Sequence, residues 1–179
     1  MFDNIKLEKS MKRLQNGDAS AFDIIYEQTH RMVYYIIYPI VKRHELAEEV
    51  MQNVYINVYE KIYQYKSQNS PKAWIAMIAR NLAINEYNRN KKEINLDIDT
   101  MDFIDNKTKE ETTPLIDLAH DNLENDEFII VMLCVCEGYK RREVADILGL
   151  STSGVTWKLK KALNKLKQLT KGGALNEIK

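Results

Sequence analysis

Thr156, Trp157, Lys160 and Lys161 are spaced to fall on one side of a helix in the Lys-rich stretch near the C-terminus. Lys160 and Lys161 can donate to guanine edges or phosphates. Thr156 can touch a base edge or a thymine methyl, and an indole can pack on sugars or methyls. Asn164 continues this outer side. Behind it, Val155, Leu159, Ala162, Leu163, Leu166 and Leu169 recur at helical spacing as a buried stripe. A shorter helical pattern, Arg141 to Leu148, precedes them. Between the two, Gly149 suits a turn that needs positive φ, and Ser151 can cap the next helix with its hydroxyl. Ala145 is small where two helices must approach closely. This is the layout of a helix-turn-helix, one helix of which can lie in the DNA major groove.

The elements that must carry this unit are helical throughout. Asn16-Gly17-Asp18 is a turn after a short N-terminal helix, and Asp18 or Ser20 can cap the second helix. That second helix carries Phe22, Ile25, Tyr26, Met32, Val33, Ile36 and Ile37, with a kink or an end at Pro39. The next begins near His44. Leu46, Val50, Val54, Val58 and Ile62 form one apolar row, and Ala47, Met51, Tyr55 and Tyr59 form its neighbour. Tyr65 to Pro71 is a polar loop, with Ser70 a cap and Pro71 a first helical position. Trp74, Ile75, Ile78, Ala79, Leu82, Ala83 and Tyr87 then make the apolar side of a helix ending at Lys92. Residues 93–114 are acidic and aperiodic, as in a flexible tether. Helix resumes at Leu115 and leads through Phe128 to Val135 and the helix-turn-helix. The expected fold is all-α: an N-terminal helical bundle (1–92) and a C-terminal helix-turn-helix domain (115–179) joined by an acidic flexible linker (93–114).

The 179 residues are 45% hydrophobic and 29% charged, the balance of a soluble globular protein. No apolar run approaches a membrane span and the N-terminus has no signal-peptide core, which predicts a cytoplasmic protein. Cys134 and Cys136 point apart on a helix and are expected as buried free thiols. His30, His44 and His120 form no ligand-spaced cluster, so neither metal nor cofactor is expected. The formal net charge of +0 hides a strong order. Lys72 to Lys92 has five basic residues against one acid, Glu93 to Thr113 has seven acids against two basic residues, and Gly138 to Lys171 has nine basic residues against two acids. Two blocks suited to phosphate flank one that repels it.

Four segments together carry a family pattern. Asn16 to Phe22, Glu48 to Tyr55, Ala73 to Asn81 and the helix-turn-helix stand in the order and spacing of bacterial extracytoplasmic-function (group IV) sigma factors, which the chain resembles over about Ser10–Lys92 and Leu115–Lys171. The resemblance implies a promoter-specificity subunit of RNA polymerase with no catalytic centre. Its first domain would open and read the minus-ten element, its second would read the minus-thirty-five element as duplex, and the linker would thread the polymerase cleft. Core RNA polymerase and promoter DNA are the implied partners, with an anti-sigma factor as inhibitor and no small-molecule substrate.

On that resemblance, Glu48, Glu49, Gln52 and Asn53 form the face that packs on core polymerase, where carboxylates and amides suit an Arg-rich partner. The loop and helix after it read the melted strand. Tyr65 offers a π-face, and Gln68, Asn69, Asn81 and Asn85 offer base-edge contacts. Lys66, Lys72, Arg80, Arg89, Lys91 and Lys92 hold phosphates, while Trp74 belongs to the core. For the upstream element the family places groove contacts on Thr156, Trp157, Lys160 and Lys161, with Lys140, Arg141, Arg142 and Lys158 as phosphate anchors. Trp157 is larger than the residue usual there, and it either shifts the preferred sequence or packs in the domain. Two other classes compete. A conventional DNA-binding regulator would bind duplex without polymerase, but a sensor has no reason to carry the basic, Asn-rich helix from Trp74 to Lys92. An enzyme built on Glu48 and Glu49 would lack a His or metal partner.

Overall fold

A computed structural model describes residues 2–68, 70–97 and 114–171. The described residues are all-α. In chain order they form α1 (Phe2–Gln15), α2 (Ala21–Val41), α3 (His44–Glu60), a 3₁₀ turn (Ile62–Gln64), α4 (Pro71–Asp97), α5 (Pro114–Asn122), α6 (Asn125–Val131), a π-helical stretch (Met132–Cys136), α7 (Arg141–Leu148) and α8 (Thr152–Lys171). None of these helices is long and apolar enough to cross a membrane.

The expected punctuation is largely present. Ser20 is the N-cap of α2 without the expected side-chain cap bond, and the Asp18 carboxylate accepts the Ser20 N–H at 3.1 Å just before the helix. Pro39 does not end α2; it sits in its last turn, and the helix stops at Val41, where Lys42 takes a left-handed φ of 59°. Arg43 then turns extended and α3 begins at His44. Ser70 Oγ accepts the Ala73 N–H at 3.5 Å over a helix whose first residue is Pro71. Gly149 has φ 68°, and the next N–H, from Leu150, donates to the Ala145 carbonyl at 2.9 Å. Ser151 Oγ accepts the Gly154 N–H at 3.0 Å, the cap that starts α8.

One core runs through both halves. Leu7 and Met11 of α1, Ile25, Met32, Val33, Ile36 and Ile37 of α2, Val50, Val54 and Val58 of α3, and Ile75, Ala79 and Ala83 of α4 are buried. So are Phe128 and Ile130 of α6, Val144 and Ile147 of α7, and Val155, Leu159 and Ala162 of α8. Apolar burial at about 25 cal/mol per Å² is the main force holding these helices together. Four expectations are corrected at the margins of this core. Tyr59, Tyr87 and Leu163 stand exposed because each lies at the edge of its helix's apolar arc. Cys136 is exposed and Cys134 half-buried, both free, at the end of the π-helical stretch whose buried residues are Met132 and Leu133.

The boundary expected at Lys92 falls inside α4, which continues to Asp97. Of the acidic tether, residues 98–113 lie outside the described residues. The C-terminal helices pack on α2 and α4. Tyr38 of α2 meets His120 at 4.8 Å and Phe128 at 6.1 Å between ring centres. Lys72 of α4 holds its ammonium 3.9 Å from the centre of the Tyr139 ring.

Candidate nucleic-acid interface

The outer side of α8 divides sharply. Trp157 is 63% exposed and Lys160 is exposed, and neither packs into the unit. Thr156 is half-buried and donates its hydroxyl to the Thr152 carbonyl at 2.8 Å, so it can only accept from a base. Lys161 and Lys158 are held by acids of α6 in this arrangement. Lys161 ion-pairs with Glu127 at 2.8 Å and with Glu124 at 3.4 Å, and Lys158 with Asp126 at 3.3 Å. The lysine run therefore serves two masters. The residues on the α6 side of α8 bind its acids, and those one step round face solvent. Arg141 and Arg142 are exposed at the start of α7, where Lys140 is fixed by its N–H donating to Glu143 at 3.0 Å.

Glu127 organises this unit, and the sequence reading assigned it no role. It is fully buried at the start of α6 and accepts from Lys165 at 2.7 Å and from the Glu124 N–H at 3.3 Å, besides its pair with Lys161. Burial pushes its carboxyl up, but the hydrogen bonds from Lys161 and Lys165 and from the Glu124 backbone outweigh that and hold it down at about 2. The signal in the sequence was an acid directly before the apolar run that begins at Phe128, followed at long range by lysines four apart, Lys161 and Lys165.

On α4 the expected row is present at the surface. Asn81, Asn85 and Arg89 are exposed and recur every four residues, one above the other. Arg89, itself exposed, pairs at 2.8 Å with Glu86 of its own helix, whose carboxylate is mostly covered and also accepts from Asn90 at 3.0 Å. Arg80 reaches the Asp126 carboxylate at 3.4 Å. Lys72 is 7% exposed under Tyr139 and cannot hold a phosphate in this arrangement. Tyr65 is also a correction. It is 3% exposed, packs on Trp74 at 5.6 Å, and its carbonyl accepts from Gln15 at 2.7 Å. Burial raises its hydroxyl to about 12. It is a core residue that anchors the loop. The exposed aromatic faces of this end are instead Tyr63, at 74%, and Tyr87. Lys66 and Gln68 are exposed, and Asn69 lies outside the described residues.

Glu48, Glu49, Gln52 and Asn53 are all exposed along α3. Beside Glu48 and Gln52 lies an open groove of about 740 Å³ that the sequence reading missed, lined by Phe22, Tyr26, Met51, Tyr55, Ile56 and Tyr59. Its floor is an edge-to-face aromatic cluster, with Phe22 6.0 Å from Tyr55 and 5.8 Å from Tyr59. Tyr55 is fixed from below by Thr29 at 2.8 Å. Ile56 was the available clue, an apolar residue on an otherwise polar helical side. An apolar trough with an acidic and amide rim suits a helix of opposite pattern.

The sequence matches the Sigma-70 region 2 family over residues 25–93, the stretch holding α3, the loop and the exposed row of α4. No curated protein matches the chain. Among solved structures, the chain is similar to CnrH in complex with the cytosolic domain of CnrY, at 15% identity and a TM-score of 0.66, over 93% of this chain and 98% of that one. It is also similar to the sigma factor RpoE in complex with the anti-sigma factor NepR from Bartonella quintana, at 17% identity and a TM-score of 0.61, over 83% of this chain and 97% of that one. These likenesses give the fold, and the Sigma-70 region 2 match, on the segment that holds two of the four motifs, ties residues 25–93 to that family.

Proposed function

We propose that this chain is a sigma factor of the extracytoplasmic-function type that directs core RNA polymerase to specific promoters, reading the minus-ten element with residues 1–92 and the minus-thirty-five element with residues 115–179. The observation that carries the reading is the pair of separate, outward-facing rows: Asn81, Asn85 and Arg89 on α4, and Trp157 and Lys160 on α8. Amides on a helix surface suit the edges of unpaired bases, and a Lys–Trp pair beside an N-terminal cap suits a groove. The α3 groove and its rim residues Glu48, Glu49, Gln52 and Asn53 dock the polymerase, and residues 93–114 serve as the acidic tether through its cleft. An anti-sigma factor restrains the protein in the cytoplasm, as the relatives solved with partners suggest by analogy.

The test is transcription in vitro from a pool of genomic templates, with core enzyme alone and with core plus this chain. Promoter-specific products that need the chain are expected. Their absence would overturn the reading. Asn81→Ala should then impair strand opening, read as lost permanganate reactivity, while Lys160→Ala should weaken use of the upstream element.

A further inference from the structure

One carboxylate touches both readers. Asp126, in the first turn of α6, places Oδ1 3.4 Å from Arg80 of α4 and Oδ2 3.3 Å from Lys158 of α8. A second ion pair across the same seam joins Arg31 of α2 to Glu137 at 3.5 Å. Beside the Arg80–Asp126 pair the seam holds a half-open, mostly apolar cleft of about 310 Å³, bordered by Ile36, Met77, Ile129 and Ile147 and by Arg80 and Asp126 themselves. Buried side chains of one core cross this seam, and the part-exposed ion pairs across it bias the packing rather than carry it.

Reach makes the packed state incompatible with promoter use. Elements at minus ten and minus thirty-five are about 25 base pairs apart, or roughly 85 Å along the duplex at about 34 Å per turn. A compact chain of this length has a radius of gyration of about 16 Å and so spans roughly 40 Å. The two rows cannot occupy both elements until the halves separate.

We infer that Asp126 latches the free chain in a closed, promoter-incompetent state by holding Arg80 of the strand reader and Lys158 of the duplex reader on one carboxylate. The inference rests on the promoter-reading assignment of those two residues. In the closed chain Asp126 takes the place that phosphates take on the promoter, so DNA and the latch compete for the same cations. Docking on polymerase opens the seam, and the released Arg80 and Lys158 then meet phosphate. Salt weakens the latch as it weakens any exposed pair.

Energy transfer between dyes at Lys9→Cys and Gln168→Cys, in full-length protein carrying Cys134→Ser and Cys136→Ser, tests it. High transfer is expected at about 0.05 M salt, falling at about 0.5 M. Asp126→Ala and Arg80→Ala should each lower transfer, and the double variant should fall no further, because both remove one contact. Asp126→Ala should also tighten the complex with core polymerase about two- to fivefold, since less protein is held in the closed form. Transfer unchanged by Asp126→Ala and Arg80→Ala, or additive losses in the double variant, would overturn the latch. The dyes report closure without polymerase or DNA, so a chain that latches but directs no transcription would separate failure of the promoter reading from failure of the latch.

Discussion

Replacing Glu127 by Gln removes one charge at the centre of the C-terminal unit while keeping the shape and a hydrogen-bonding end. The wild-type carboxyl is held at about 2 against a reference of 4.5. Linkage converts a shift of that size to about 3 kcal/mol. Lys161 and Lys165 are each 36% exposed, and water at the lysines screens the pairs to about 1–2 kcal/mol. For a chain of this size the loss lowers Tm by about 2–8 °C.

The pH dependence follows from the sign. The folded-state carboxyl is more acidic than the unfolded one, so its stabilisation is complete above about 4.5 and drains away as pH falls through about 2. Wild type and Glu127→Gln should therefore differ by about 1–2 kcal/mol at neutral pH in urea titrations, and the gap should narrow below pH 4.5. A gap that stays constant from neutral pH down to about pH 3, or no gap at all, would refute the account of Glu127 as an ionised, lysine-bound anchor.

Adjacent lysines should separate in the same way. Lys160→Ala should reduce the salt slope of duplex binding by about 0.9 and leave the unfolding midpoint alone, whereas Lys161→Ala should lower the midpoint and leave the slope. Equal slope losses for both would show that Lys161 leaves Glu127 to bind DNA. Tyr65→Phe should keep full strand opening, and Tyr65→Ala should cost about 3 kcal/mol of stability in denaturant titration, as a buried aromatic does. Ile56→Ala should change stability by less than about 0.5 kcal/mol yet weaken binding to core polymerase about tenfold or more, read by competition against a labelled sigma factor.

What the sequence revealed was whatever depends on local rules. Gly149, Ser151, Ser70 and Pro71 punctuate helices wherever they stand, and each does so in the structure. The stripe of Val155, Leu159 and Ala162 is buried because period 3.6 leaves no other arrangement. The side of α8 facing outward was legible too, but the fate of its lysines was not. Whether Lys160 or Lys161 meets DNA depends on where α6 lies, and that is fixed by packing between residues more than thirty positions apart. Tyr65 failed for a related reason. A tyrosine in a polar loop reads as a stacking face, yet Gln15 of α1 and Trp74 of α4 close over it. The groove at Ile56 escaped notice because one apolar residue breaks no periodicity.

The row of acids at the start of α6 explains why these tertiary effects matter for function. Glu124, Asp126 and Glu127 lie within one turn, carry the same charge and face the same lysine-rich helix. Their surroundings differ. Glu127 is fully buried, so breaking its pairs strands a charge where water cannot replace them, and the contact persists as structure. Glu124 is exposed, stands at the N-cap of α6 and reaches Lys161 at 3.4 Å. Asp126 is between the two, its side chain 28% exposed at the seam. There, beside an open cleft, an ion pair is strong enough to bias the packing of the two halves and weak enough for phosphate or polymerase to displace. A latch needs that intermediate burial. Deeper, Asp126 would lock Arg80 permanently and the strand reader would lose its cation; shallower, it would leave both readers open to any nucleic acid in the cell, at the micromolar or weaker affinity typical of non-specific binding.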